Sequence, residues 1–131
     1  ISLVNNDQVC VWINQADSHG IACVRTADGS LLWEHIICTL SCDLYTQVVE
    51  MTNIFYISEQ QGGAVGDEKT TITLHALRMS DGQQLWRYQI DSNSSVITEG
   101  TSVYINFPQD RSVVALNAAT GDVRWRYKMQ A

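Results

Sequence analysis

The sequence predicts an all-β fold made of three repeated units, each a sheet of four antiparallel strands. Three segments of the 131 residues align with one another, β-branched and aromatic runs alternate with Gly, Asn, Asp and Ser, and no window shows helical periodicity. With 45% hydrophobic and 17% charged residues, the chain has the composition of a packed domain. No apolar stretch is long enough to span a membrane.

The repeats align on a central strand and on a tryptophan that follows it. The central segments are 11–14, 55–58 and 103–106, and a valine stands seven residues before each, at Val4, Val48 and Val96. This spacing predicts a connection of constant length between the first two strands. The alignment places Trp12 in one column with Tyr56 and Tyr104. Each repeat ends with a glycine four residues before a tryptophan, in the pairs Gly29/Trp33, Gly82/Trp86 and Gly121/Trp125.

Four strands, A to D in chain order, are predicted in each repeat. Strand A covers 3–4, 47–49 and 95–98; strand B covers 9–14, 53–58 and 101–106; strand C covers 21–25, 72–78 and 113–117; strand D covers 31–36, 84–90 and 123–129. The Asp-Gly and Thr-Gly pairs before strand D supply the positive φ that a tight hairpin turn needs. The predicted units are residues 1–43, 44–91 and 92–131.

Repeated four-stranded units of this length are typical of β-propeller blades, each of which buries its faces against its neighbours. Trp33, Trp86 and Trp125 are therefore predicted to be structural residues between blades. A closed propeller needs about four to eight blades. Three blades thus predict either further blades of a longer chain or a head-to-tail dimer that closes a six-bladed ring. Because the chain opens with Ile1 and has no basic, apolar leader, a fragment or a processed form is expected.

The net charge of −6 lies entirely in residues 1–59, which hold seven acidic residues and one basic residue. The remaining residues hold seven of each. This charge argues against a nucleic acid or an anionic membrane as the main partner. It indicates a solvated acidic rim or, alternatively, an end of the domain that prefers a cationic partner.

Two insertions distinguish the second repeat. Nine extra residues fall between its strands B and C, at 59–69, and five fall in the crossing that precedes it, at 35–43. In an up-and-down blade both connections emerge on the same face of the propeller. We therefore predict two adjacent surface loops that form a binding face for a protein or a small ligand, against the simpler alternative of a harmless loop pair. The candidate residues are Cys38, Cys42, Asp43, Glu59, Asp67 and Glu68.

The four cysteines are compatible with an oxidising compartment and do not establish one. Cys10 and Cys23 could face each other, but free buried thiols are the default expectation for both. Cys38 and Cys42 could close a small disulfide. With His35 they offer three of the four ligands that zinc usually takes, so no metal site is predicted. No catalytic triad or pair is apparent, and His75 has no evident catalytic partner.

The end of each repeat resembles the quinoprotein-like (PQQ-like) β-propeller repeat family. That family's blade ends with the pattern Ala-x-Asp-x-x-Thr-Gly-x-x-x-Trp, which the third repeat matches with Ala115, Asn117 in place of Asp, Thr120, Gly121 and Trp125. The resemblance implies bacterial, extracytoplasmic proteins that include quinone-dependent dehydrogenases, outer-membrane assembly scaffolds and cofactor-free sensors. The enzymes bind their quinone, usually with calcium, at the centre of a complete propeller.

A central site cannot be complete within three blades. The sequence therefore predicts a non-catalytic binding or scaffold module without a cofactor. A fragment of a PQQ-dependent dehydrogenase is the alternative, in which quinone and calcium would bind only to the complete propeller.

Overall fold

The computed structural model describes residues 2–4, 7–39, 42–49, 53–61, 71–91 and 93–129, with the backbone alone at 2–4, 42–49, 61 and 71. These residues form twelve strands: β1 Ser2–Val4, β2 Gln8–Gln15, β3 Ser18–Arg25, β4 Leu31–Cys38, β5 Cys42–Val49, β6 Ile54–Gln61, β7 Thr71–Arg78, β8 Gln84–Ile90, β9 Ser95–Glu99, β10 Ser102–Phe107, β11 Ser112–Asn117 and β12 Val123–Lys128. The described runs of Val, Ile, Tyr and Trp, which are residues that favour strands, lie within these twelve strands.

Three antiparallel sheets follow one another along the chain. Their strand orders are β1-β2-β3-β4, β5-β6-β7-β8 and β9-β10-β11-β12, and we call them blades 1, 2 and 3. Each third strand carries a register shift at the same place, between Cys23 and Val24, Ala76 and Leu77, and Ala115 and Leu116. The all-β fold with three four-stranded blades is therefore confirmed.

The turn between the third and fourth strand has the same backbone in every blade. Gly29, Gly82 and Gly121 have φ values of +74°, +73° and +76°. Glycine adopts this left-handed conformation without the steric cost that a Cβ imposes. The turn predicted from the Asp-Gly and Thr-Gly pairs is thus present in all three blades.

Two apolar clusters join the blades. Cys10, Ile21, Cys23 and Trp33 of blade 1 pack against Phe55, Ile57, Leu77 and Met79 of blade 2. The larger cluster joins blades 2 and 3 and contains Ile54, Tyr56, Leu74, Ala76, Trp86, Ile90, Val96, Val103, Ile105, Val114, Leu116 and Ala118. Each blade therefore buries its side chains mainly by contact with its neighbour, as a repeat architecture requires.

Trp33 and Trp86 connect successive blades in the same way. The indole Nε1–H of Trp33 donates to the carbonyl oxygen of Met79 at 2.8 Å, and that of Trp86 donates to the carbonyl oxygen of Ala118 at 2.7 Å. Each ring also covers the turn glycine of the next blade, so closely that a Cβ on Gly82 or Gly121 would collide with it. Both tryptophans are therefore inter-blade residues, as predicted.

Trp125 differs from its two equivalents because no described blade lies against it. Its side chain is 47% exposed, whereas Trp33 and Trp86 are 7% and 8% exposed. Its ring packs on Tyr104 of its own blade, with 5.9 Å between the ring centroids. The inter-blade role of Trp125 therefore stays a prediction.

The sequence alignment of the first repeat was wrong by two residues. Cys23, Ala76 and Ala115 each pair with the blade's tryptophan, and the residues opposite them on the second strand are Cys10, Tyr56 and Tyr104. Cys10, and not Trp12, is thus equivalent to the two tyrosines. Trp12 lies two residues further along β2 and packs at the edge of the cluster between blades 1 and 2.

The connection between the first two strands is not constant, which is a second correction. It spans three residues after Val4, four after Val49 and two after Glu99. The pairing of the reference valines differs accordingly, since Val48 pairs with Phe55 whereas Val96 pairs with Ile105. Equal spacing in the sequence therefore concealed different strand registers.

Candidate functional site

Blade 2 is lengthened at one end. Its second and third strands are separated by nine residues, 62–70, whereas the equivalent connections span two residues in blade 1 and four in blade 3. Cys42 pairs with Gln61, and Gln61 pairs with Thr71. The start of β5 and the connection after β6 are therefore at the same end of the sheet, in agreement with the predicted shared face. We call this the extended end of blade 2.

The five extra residues before blade 2 lengthen strands instead of a loop. The connection from β4 to β5 spans three residues, fewer than the four from β8 to β9. The extra residues instead extend β4 to Cys38 and place the start of β5 at Cys42. This is two residues before residue 44, where the second unit is predicted to begin. The predicted loops at 35–43 and 59–69 are thus partly strand, because β6 also continues to Gln61.

The candidate residues fall into three groups. Cys38 ends β4 and Glu59 lies on β6; their side chains are only 7% and 5% exposed, so they do not present a surface to a partner. Cys42 and Asp43 begin β5, opposite Gln61 and Gln60. Asp67 and Glu68 lie outside the described residues. Their role in binding remains a prediction.

Cys10 and Cys23 form a disulfide between directly opposed residues of β2 and β3. The expectation of free thiols at these positions was therefore wrong. At the equivalent positions of blades 2 and 3 a tyrosine is paired with an alanine across the strands. Tyr56 pairs with Ala76, and Tyr104 pairs with Ala115. Opposed positions bring the two Cα atoms to 4.0 Å, which allows a bond between the side chains. Cys38 is disulfide-bonded as well.

A buried polar cluster links β6, β7 and β8 at the interface with blade 1. The His75 Nε2 lies 2.7 Å from the Glu59 Oε1, and its Nδ1 lies 2.9 Å from the Gln84 Oε1. Glu59 and His75 are each 5% exposed. Glu59 continues the face of β6 that carries Phe55 and Ile57, so the pair extends the apolar cluster between blades 1 and 2. Both ring nitrogens of His75 therefore have a hydrogen-bonding partner, and these contacts connect β6, β7 and β8 within the fold.

The sequence indicated no partner for His75 because the contact depends on strand register. His75 pairs with Ile57, and Glu59 is the diagonal neighbour two residues further along β6. Diagonal cross-strand neighbours contact each other when their side chains are long. Glu59 continues the Phe55–Ile57 face, but the sequence predicts a loop from residue 59, whereas β6 continues to Gln61.

His35 on β4 lies close enough to His75 for the two imidazoles to interact electrostatically. Burial lowers the pKa of the His35 imidazole, and repulsion from His75 lowers that pKa further. The folded protein therefore disfavours a proton that the unfolded chain accepts near its ordinary pKa of 6.5.

We expect this difference to reduce stability in mild acid. The His35 contribution is fully present above about pH 6.5 and is lost as the pH falls towards the lowered pKa, because only the unfolded chain then gains the proton. His35→Tyr, which introduces the residue found at the equivalent positions Tyr88 and Tyr127, should flatten this part of the profile. Urea titrations between pH 8 and pH 5 test it; equal slopes for the two proteins would contradict the assignment.

Within the described ranges, no group of three or more His, Cys, Asp or Glu side chains could hold a metal ion. Nor do those ranges contain a helix long and apolar enough to cross a membrane.

A family model described as outer membrane protein assembly factor BamB matches residues 17–131. The chain belongs to this BamB-like family. The match covers Trp33, Trp86 and Trp125 and the turn glycines of all three blades. Among these residues, Trp33 with Gly82 and Trp86 with Gly121 join successive blades of this BamB-like chain. No curated protein matches it significantly.

Two solved structures show the same fold. BamB from Moraxella catarrhalis is 12% identical, with a TM-score of 0.52, and the alignment covers 95% of this BamB-like chain and 35% of that chain. A europium-containing methanol dehydrogenase is 14% identical, with a TM-score of 0.61, and the alignment covers 99% of this chain and 24% of that chain. The BamB-like chain thus spans about a third and a quarter of these two propeller proteins.

Proposed function

We propose that this BamB-like chain is a non-catalytic, extracytoplasmic binding module that recognises a protein partner through the extended end of blade 2. The observation that carries the proposal is the nine-residue connection 62–70, compared with two and four residues in the other blades. Binding residues in repeat proteins commonly lie in such insertions, while the regular parts maintain the stack.

The amino-acid sequence at the extended end supports a binding role. The tryptophans, turn glycines and buried His75–Glu59 pair all take part in contacts within or between blades. The acidic residues Asp43, Asp67 and Glu68 lie in or beside the two connections of the extended end. They favour a partner segment with basic side chains.

Two observations support an extracytoplasmic location. The family description refers to outer membrane protein assembly. The Cys10–Cys23 disulfide fits an oxidising compartment, since such bonds are rare where thiols are kept reduced.

The binding test uses an unfolded, fluorescently labelled outer-membrane β-barrel protein as the probe. Gln61 and Thr71 are directly opposed, so an Asn-Gly turn can replace residues 62–70 without changing the register. Phe107 and Ser112 are opposed in the same way, and replacing residues 108–111 by Asn-Gly gives a matched control on blade 3.

We expect the wild type and the blade 3 control to bind the probe, and the variant at 62–70 to bind at least about tenfold more weakly, as the loss of a few contact residues does. All three should keep the same circular dichroism spectrum. Absence of wild-type binding, or equal binding by all three, would contradict the proposal. Cofactor absorbance and dye reduction after addition of quinone and calcium would instead favour the dehydrogenase alternative, which the methanol dehydrogenase likeness keeps open.

A further inference from the structure

The connection from blade 2 to blade 3 contains a sequence pattern that the proposed function does not use. The connection spans residues 91–94, and it includes Asn93. Ser95, the first residue of β9, follows Asn93 two positions later, and the residue between them is Ser94. An asparagine followed two positions later by a serine or threonine, with any residue but proline between them, is the acceptor pattern for N-linked glycans.

Asn93 is the only asparagine of the sequence that lies in this pattern. The chain has seven asparagines, and after each of the other six the residue two positions later has no hydroxyl group. Asp91 adds an acidic residue two positions before Asn93, which is a further feature that bacterial oligosaccharyltransferases recognise. The sequence therefore offers one acceptor asparagine, in the longer pattern Asp-x-Asn-x-Ser.

Asp91 and Ser94 hold the backbone turn that contains Asn93. The Asp91 Oδ1 accepts hydrogen bonds from the Asn93 N–H and from the Ser94 hydroxyl, both at 3.0 Å. The Ser94 N–H donates to the Asp91 carbonyl oxygen at 3.1 Å, and the Asp91 N–H donates to the Ser94 Oγ at 3.2 Å. Aspartate side chains commonly stabilise turns in this way. The turn therefore does not depend on the side chain of Asn93.

Asn93 is exposed, and its amide group makes no hydrogen bond with any other described residue. The connection that carries it begins at the extended end of blade 2. Ile90, the last residue of β8, pairs with Ile72, and Ile72 is adjacent to Thr71, where the connection 62–70 ends. A group attached to Asn93 is thus placed in a crossing that starts beside the proposed binding face.

We propose that Asn93 is the acceptor of an N-linked glycan. The donor is an oligosaccharide carried on a lipid pyrophosphate. The side-chain nitrogen of Asn93 forms a bond to the anomeric carbon of the sugar, and the bond from that carbon to the pyrophosphate oxygen breaks. The lipid pyrophosphate leaves with the electron pair of the broken bond, and the nitrogen loses one proton to a base of the transferase. The proposal rests on the extracytoplasmic location given under the proposed function, and not on its protein partner.

The test is glycan transfer to the folded chain in vitro, which requires neither the partner nor the compartment. The purified chain is incubated with a purified bacterial oligosaccharyltransferase and a lipid-pyrophosphate-linked oligosaccharide, and its intact mass is measured. We expect the mass to rise by one oligosaccharide, and the glycan to lie in the tryptic peptide 88–111. An unmodified chain, or a glycan in another peptide, would overturn the proposal whether or not the chain binds an outer-membrane protein.

A synthetic peptide of residues 88–99 separates the sequence pattern from its presentation by the fold. We expect transfer to both the peptide and the folded chain, because the turn exposes Asn93. Transfer to the peptide alone would show that the folded protein masks the site, and this result would overturn the proposal. Transfer to neither would show that the transferase does not recognise the pattern, which overturns it as well.

Four variants locate the acceptor. Asn93→Gln displaces the amide nitrogen and Ser95→Ala removes the hydroxyl group, so both should abolish transfer, whereas Ser95→Thr keeps a hydroxyl group and should retain it. Asn106→Gln is the matched control and should be modified like the wild type. Asn106 lies in the same tryptic peptide and pairs with Ser95, but Pro108 stands two positions after it. All four variants should keep the circular dichroism spectrum of the wild type. Continued transfer to Asn93→Gln would contradict the assigned residue.

Discussion

Trp86→Ala lowers the free energy of unfolding by about 3–5 kcal/mol in our account, the cost of removing a large buried aromatic side chain. The Trp86 ring packs against Tyr56 of its own blade, with 6.0 Å between the ring centroids, and it covers Gly121 of blade 3. The change also leaves the Ala118 carbonyl oxygen without its 2.7 Å hydrogen bond, which adds the penalty for an unpaired buried acceptor.

The control for this prediction is Trp125→Ala, in the same column of the repeat but 47% exposed. Both changes are compared by urea titration of the otherwise unchanged chain. We expect Trp125→Ala to cost less than half as much as Trp86→Ala. A loss below about 1 kcal/mol for Trp86→Ala would show that the ring is not buried between blades.

Removal of the Cys10–Cys23 disulfide has the second largest expected effect. The bond closes a loop with a sequence separation of 13 residues, and a disulfide that closes a loop of this size stabilises by about 2–4 kcal/mol. It also occupies the interior of the cluster between blades 1 and 2, since the two side chains are 2% and 0% exposed. The Cys10→Ala/Cys23→Ala variant should lose stability by that amount in a urea titration.

A reductant distinguishes the bond from the packing of its atoms. The variant retains Cys38, which is also disulfide-bonded, so reduction of the variant reports the contribution of that second bond alone. Reduction of the wild type breaks both bonds. It should lower the free energy of unfolding by the amount that the variant loses on reduction, plus most of the amount that the double substitution costs. If the reduced wild type were as stable as the oxidised one, the disulfide would make no contribution to the stability of blade 1.

The fold could be predicted from the sequence because a few residues determine both the turn and the contact between blades. The Gly82–Trp86 spacing sets the hairpin turn, and the same spacing in Gly29–Trp33 places the Trp33 ring over Gly82 of the next blade. A pattern in which local and long-range geometry require the same residues is a dependable basis for predicting a fold.

The register of the first repeat could not be predicted in the same way. Side chains alternate with a period of two along a strand, so a shift of two residues leaves the buried and exposed faces unchanged. Because Trp12 is aromatic, it aligns with Tyr56 and Tyr104 more readily than Cys10 does. Only the pairing of Cys10 with Cys23, opposite Trp33, identifies the true equivalent.

The candidate site was predicted in part. The longer connection of blade 2 lies between its second and third strands, as predicted, but it begins at residue 62 and not at residue 59, because β6 continues to Gln61. The crossing before blade 2 was misassigned, since extra residues can extend two strands as readily as they enlarge a loop. The burial of Glu59 against His75 depends on cross-strand register and on the approach of blade 1, and neither can be derived from local spacing.

Hydrogen exchange of the tryptophan indole N–H groups tests most directly the claim that successive blades are joined by an indole over a turn glycine. Trp33 and Trp86 donate to carbonyl oxygens of the next blade, so their indole protons should exchange only when the blades separate. Signals assigned with single Trp→Phe variants should show slow exchange for these two and fast exchange for Trp125, which is 47% exposed. Exchange of Trp33 or Trp86 at the rate of a free indole would contradict the account.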